Sequence, residues 1–324
     1  MTGASGFIGR YLVRRLATAG LRTRALARRP DAEGLPRGPG IDWLEAPPAD
    51  ALPAQWLALV RDARAVIHLA GLAHRPLALA TADDAGRRAA LRELRQVNVL
   101  AGARLAEAAA RGGVRDFLFV SSIKAVAEAS EERAIDESTP PHPQDCYGFA
   151  KLAAERRLAR LALAHPAMRV CMLRPPLVYG PGVKGNFAQL ARIIARGWPL
   201  PLASVENRRS MIHVGNLVDA MLRILETPDA PGGCYLVCDP QPLSTPALIR
   251  AIASARGHRA RLLPFPVGWL QAMANAAGQR EKIERLTGSL VLDDSRFRHH
   301  FGWTASRATA QALADDALSA PEDT

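Results

Sequence analysis

Two unbroken apolar runs constrain this chain more than any other feature. Ala65 to Gly71 (Ala-Val-Ile-His-Leu-Ala-Gly) and Phe117 to Ser122 (Phe-Leu-Phe-Val-Ser-Ser) do not alternate with polar residues, which is the pattern of strands covered on both faces. Further candidate strands run from Arg22 to Ala27 and from Met168 to Leu173, and the second apolar run extends back to Asp116. Helical patterns lie between them, at Ile8 to Ala19, Arg87 to Gly112 and Tyr147 to Ala164. This alternation predicts an α/β fold with a Rossmann-type doubly wound parallel sheet. The two apolar runs end in small or polar residues, and in such sheets ligands bind at the carboxyl ends of the strands.

After Pro175 the texture shifts to proline- and glycine-rich loops (Pro175, Pro176, Gly180, Pro181, Gly182, then Pro199 and Pro201). The reading is therefore a Rossmann domain over residues 1–175 and a smaller substrate-binding α/β lobe over 176–324, some of whose segments return to the first domain. A terminal helix is expected from about Ser306, with residues 320–324 frayed. No internal repeat is present.

Composition excludes several function classes. The 324 residues are 48% hydrophobic and 23% charged, as in ordinary globular proteins. No run of 18 apolar residues and no charged-then-apolar leader pattern occurs, so the expectation is a cytoplasmic protein with no membrane partner. Cys146, Cys171, Cys234 and Cys238 form no C-x-x-C pair and lack companion ligands, which reads as reduced structural thiols and no metal site. The formal charge is +11, but the arginines are scattered in pairs such as Arg87-Arg88 and Arg156-Arg157. With no basic tail and no aromatic platform for bases, no nucleic-acid partner is expected.

Thr2-Gly3-Ala4-Ser5-Gly6-Phe7-Ile8-Gly9 spaces three glycines evenly and runs straight into a helical pattern. Glycine permits the tight turn and the approach of backbone amides to a pyrophosphate at a helix N-terminus. Gly3, Ser5, Gly6, Phe7, Ile8 and Gly9 are thus candidate dinucleotide contacts. Such a loop should follow a buried strand, yet only Met1 and Thr2 precede it; the expectation is that the first strand lies upstream of Met1, as a misassigned start. Arg28 and Arg29 stand at the end of the next strand, where an NAD site usually places an acid. Arginine there suits a 2′-phosphate, so NADP is slightly favoured over NAD, with solvated surface arginines as the alternative.

Tyr147 and Lys151 lie one helical turn apart on one face. The lysine charge, joined by that of an oxidised nicotinamide, is expected to bring the phenol pKa down toward working pH and make Tyr147 a general acid or base. Ser122, at a strand's carboxyl end, is placed to share a substrate oxygen with it. Asn98 sits inside a helical pattern where asparagine has poor propensity, which points to a buried polar role such as holding a water in a proton relay.

Together these motifs resemble the extended short-chain dehydrogenase/reductase family, over nearly the whole chain from Thr2-Gly3 to Phe301-Gly302-Trp303. Within it the chain is similar to nucleotide-sugar 4-epimerases and 4-keto-sugar reductases. The resemblance implies Ser122, Tyr147 and Lys151 as the catalytic set, Asn98 as its fourth, structural member, and Lys151 as a holder of the nicotinamide ribose. It implies that Leu69, Ala70 and Gly71 line the cofactor and that Pro175, in Leu173 to Gly182, lies beside the nicotinamide. Asn186 and Phe187 resemble the segment that grips a substrate nucleotide, and Arg209 matches an arginine on the substrate diphosphate. Lys124, two residues past the serine, is a candidate for substrate phosphate or for water. The family also implies a homodimer through the helices of 87–112 and 147–164.

Dehydratases of this type carry an Asp-Glu pair where this chain has Ile123 and Lys124, so dehydration is not expected. The remaining readings are a UDP-hexose 4-epimerase acting on UDP-glucose or a UDP-N-acetylhexosamine and, as the alternative, a reductase of 4-keto-6-deoxy sugar nucleotides. The epimerase leads narrowly. A non-catalytic NAD(P)-binding redox sensor is the reading from another class, and the presence of all four catalytic-type residues speaks against it.

Overall fold

The computed structural model of the chain describes residues 1–73 and 83–319; the expected fraying of 320–324 lies outside them. Its centre is a parallel sheet of β3 (Ala65–His68), β4 (Asp116–Val120), β5 (Arg169–Arg174) and β8 (Gly233–Leu236), in that order. A parallel pair, β1 (Thr23–Ala27) and β2 (Ile41–Glu45), lies beyond β3. Met1 and Thr2 bridge the two. Thr2 N–H donates to Ile67 O at 3.0 Å, Leu69 N–H donates to Thr2 O at 3.2 Å, and Leu26 N–H donates to Met1 O at 2.9 Å. Across the molecule the order is β2, β1, Met1-Thr2, β3, β4, β5, β8, a doubly wound arrangement whose direction of winding reverses at Thr2.

The apolar runs are continuous because successive residues serve two cores. On β4, Phe117 and Phe119 pack with Leu105, Ala106 and Leu158, whereas Leu118 and Val120 pack with Leu12, Leu16 and Leu217. Val66 and Ile67 on β3 divide the same way, as do Val170 and Cys171 on β5. Side chains of a strand alternate between faces, so both faces must be apolar when helices cover both. One face carries α4 (Ala101–Arg111) and α5 (Cys146–Ala164); the other carries α1 (Phe7–Thr18) and α7 (Val214–Glu226).

The expected helix over 87–112 is three pieces: α3 (Asp84–Arg95), a π-helical turn (Gln96–Leu100) and α4. The π turn contains Asn98, and such turns in a helix often mark functional sites. Composition also concealed α2 (Pro53–Val60), β6 (Leu177–Tyr179) and β7 (Met211–His213), the last two a parallel pair beside the main sheet. Beyond them α6 (Asn186–Ala195), α8 (Thr245–Ala255), α9 (Val267–Ala276), α10 (Arg280–Thr287), α11 (Ser295–Phe301) and α12 (Thr309–Ser319) follow. Tyr179, Ile194, Ile249, Ile252 and Leu313 form a separate apolar core there. No described helix is long and apolar enough to cross a membrane, and the described residues hold no cluster of metal-ligating side chains.

Candidate active site

The glycine loop meets the end of β3 at the point where the winding reverses. Gly3 has φ +68°, and a β-carbon there would stand 2.7 Å from Ala70 N, so the loop lies directly against the Leu69-Ala70 backbone. A β-carbon on Gly9 would stand 2.2 Å from Gly3 O, so α1 turns in at a distance that only glycine allows. Gly6 is the N-cap of α1 and offers no side chain to the first-turn amides. A bare helix N-terminus with its positive dipole end, cradled by glycines at a sheet's switch point, fits a pyrophosphate. The residues present therefore fit a dinucleotide. Arg28 and Arg29 follow the end of β1 and are exposed. Arg10, one turn into α1, donates from Nε to Ser5 O at 3.0 Å and from Nη1 to Gly34 O at 3.2 Å, tying the loop to the segment after β1.

Asn98 is 1% exposed. Its Oδ1 accepts from Leu72 N–H at 2.7 Å and its Nδ2 donates to Leu72 O at 3.1 Å, so the amide fixes the strand-end loop after β3. A β-carbon on Gly71 would lie 3.3 Å from Asn98 Oδ1 and 3.4 Å from Lys151 Nζ, which shows how closely Gly71, Asn98 and Lys151 converge.

Lys151 is buried and donates to Val120 O at 2.9 Å, with its ammonium 4.6 Å from the centroid of the Phe119 ring and 5.7 Å from that of Tyr147. Burial lowers its pKa to about 8, partly opposed by the Glu155 carboxylate one turn further along α5. Glu155 is itself held by both forks of Arg174, at 3.0 and 2.8 Å. His68, at the end of β3, stacks on Phe119 and lies 2.6 Å from Thr2 Oγ1. Burial, then the Lys151 charge, brings its pKa to about 3, so a neutral ring stands beside the ammonium.

Tyr147 is half-buried, and the Ser122 side chain acts on its phenol. The sequence suggests a phenol drawn down by Lys151. The protein alone does the reverse: burial first, and the Asp145 carboxylate second, push it up to about 12, with the Ser122 side chain pulling against them. The Lys151 ammonium is spent on the Val120 carbonyl and lies against the ring rather than at the hydroxyl. An oxidised nicotinamide, when bound, would add a second positive charge to that of Lys151. Pro175 follows β5, and its carbonyl accepts from Ile123 N–H at 3.0 Å, anchoring the turn that follows Ser122.

Lys124 Nζ lies 2.6 Å from Asp145 Oδ2 and 2.8 Å from Glu128 Oε1. Arg209 donates to Gly288 O at 2.9 Å. Phe187 is turned into the second apolar core, stacked on Tyr179 at 5.8 Å. Asn186 begins α6. Two groups escaped the sequence reading. Asp145 caps α5 by accepting from Gly148 N–H at 2.7 Å, and an aspartate three residues before a buried glycine at a helix start was the available signal. The Glu155–Arg174 pair joins residues 19 apart and had no local signal.

The chain matches the NAD dependent epimerase/dehydratase family over residues 1–238. It is 32% identical to the UDP-glucose 4-epimerase of Vibrio cholerae, covering 94% of this chain and 89% of that one. It is 31% identical to the GDP-6-deoxy-D-mannose reductase of Pseudomonas aeruginosa, covering 97% and 93%. Among solved structures it is similar to MoeE5 in complex with UDP-glucose and NAD, at 26% identity, a TM-score of 0.75 and coverage of 98% and 96%.

Proposed function

This chain belongs to the NAD-dependent epimerase/dehydratase family, and from that premise we propose that it interconverts the C4 epimers of a UDP-hexose, either UDP-glucose or a UDP-N-acetylhexosamine. The observation that carries the proposal is the Ser122–Tyr147–Lys151 set at the carboxyl ends of the central strands, with Lys151 beside Gly71 after β3. The 32% identical relative named above supports the choice of sugar nucleotide.

In this reading the nicotinamide, when bound, supplies hydride chemistry at the sugar C4. The chain's residues manage the proton. Tyr147 Oη takes the proton of the C4 hydroxyl as the sugar is oxidised and gives it back as the ketone is reduced. The Ser122 hydroxyl, whose influence lowers the pKa of that phenol, holds the same substrate oxygen and steadies charge developing on it. Lys151 holds the ribose and lends positive charge at the ring of Tyr147. Asn98 keeps the loop after β3 in place against the lysine. Asn186, Phe187 and Arg209 stand in segments assigned to the sugar-nucleotide end. The family resemblance supports self-association into a homodimer through the helices of 87–112 and 147–164.

A second reading, net reduction of a 4-keto-6-deoxy sugar nucleotide, is favoured by one feature. Arg28 and Arg29, exposed past the end of β1, suit the 2′-phosphate of an exchangeable NADPH. The two readings separate on denaturing the purified protein and assaying the released nucleotide. The epimerase reading predicts bound dinucleotide without any added. An empty site, with NADPH consumed only when a 4-keto sugar nucleotide is supplied, would replace it by the reductase.

A further inference from the structure

Lys124 touches three parts of the site at once. Its backbone N–H donates to Ser122 Oγ at 3.2 Å. Its carbonyl lies against the start of α5 so closely that a β-carbon on Gly148 would stand 2.3 Å from it. Its ammonium bonds Asp145 Oδ2 at 2.6 Å, and Asp145 Oδ1 in turn caps the helix at Gly148 N–H. Tyr147 lies between the cap and the capped residue. The serine-bearing turn and the tyrosine-bearing helix are therefore joined through one side chain.

We propose that Lys124 is a positioning residue that clamps the N-cap of α5 to the Ser122 turn and screens the Asp145 carboxylate from the Tyr147 phenol. The inference rests on Tyr147 being the acid and base of the reaction. The sign of the electrostatic effect follows from the neighbours. Lys151 on the same helix contributes positive charge; Asp145, and Glu128 from the turn segment, contribute negative charge. Glu128 is met by Lys124 and, at 3.6 Å, by Arg285 from α10, with Arg209 beside both. Desolvation alone would raise the Asp145 carboxyl, but the Lys124 ammonium and the Gly148 amide hold it below its usual range, so it is a standing anion next to the phenol. That anion already raises the phenol pKa. Without the ammonium only Arg285 among the cations named is left to offset the anion, and the phenol moves higher still, leaving less phenolate to act as base.

The test is Lys124→Met, which keeps the length of the side chain and removes its charge. With oxidised dinucleotide bound, the Tyr147 titration is read as the tyrosinate absorbance that Tyr147→Phe lacks. The expected shift in Lys124→Met is about one pH unit upward, the size of one nearby charge. kcat near neutrality in the oxidising direction falls about ten-fold, with KM for the nucleotide sugar little changed. Adding Asp145→Asn, which still caps the helix, is expected to bring the titration back, and Lys124→Arg is expected to restore most of kcat. An unmoved titration would overturn the proposal. So would a large rise in KM with kcat and the titration unchanged, which would assign the ammonium to the substrate. The titration needs no sugar, so it stands or falls separately from the choice of reaction; only an active Tyr147→Phe enzyme removes the reading beneath it.

Discussion

The Tyr147→Phe chain is expected to lose about two to four orders of magnitude in kcat toward its nucleotide sugar, the usual contribution of a positioned general acid or base. Its melting temperature should stay close to that of the parent. The substitution removes one hydroxyl from a half-buried ring whose packing on the Lys151 side chain remains. The oxygen lost is acted on by Ser122, but the Ser122 hydroxyl still accepts from Lys124 N–H, so no buried polar group is stranded. Loss of activity with an intact fold is thus the signature of the phenol's chemistry. Steady-state kinetics and a thermal melt on the same preparation check it, and activity within ten-fold of the parent would remove Tyr147 from the mechanism.

Glu155→Ala is expected to be the most destabilising single change near the site. Glu155 and Arg174 form a two-pronged pair whose side chains are 3% and 7% exposed. Taking away one partner leaves a buried guanidinium without its carboxylate, at a cost of roughly 3–5 kcal/mol. In a chain of this size that corresponds to a fall in melting temperature of roughly four to seven degrees. Replacing both by methionine should recover most of the loss, because two apolar side chains of similar size need no partner. The single change also removes the carboxylate that supports the charge of Lys151, so the Lys151 pKa should drop below its value of about 8. Denaturant and thermal unfolding of the two single variants and the double variant form a cycle that isolates the pair. Equal stability of Glu155→Ala and the parent would contradict this account of the contact.

What the sequence showed and what it hid divide along a physical line. The strands at Ala65, Asp116 and Met168 were legible because burial on both faces forces unbroken apolar runs, and the structure places their alternate residues in two cores. The glycine loop was legible because the close approaches at Gly3 and Gly9 tolerate no β-carbon. Tyr147 and Lys151 were legible because a helix places residues four apart on one face. β2 was missed because it is short and only half-buried, so its burial prints no clear pattern. The break of one helix into three at Asn98 was missed because a π turn changes hydrogen bonding without changing residue type; the oddly placed asparagine was its only trace. The phenol's environment was only partly legible for a related reason. Spacing brings Lys151 to Tyr147, but only coordinates show the ammonium turned to the Val120 carbonyl and Asp145 set beside the phenol.

Hydride bookkeeping at the sugar C4 reads the proposed reaction at the carbon where it occurs. UDP-glucose and UDP-N-acetylglucosamine carrying deuterium at C4 are incubated with the purified chain, without added reductant, and followed by proton NMR. The account predicts that the C4 epimer of at least one of them forms, with the deuterium retained at C4 and with Tyr147→Phe inactive. No inversion with either sugar, or inversion in which the C4 deuterium exchanges with solvent, would contradict it.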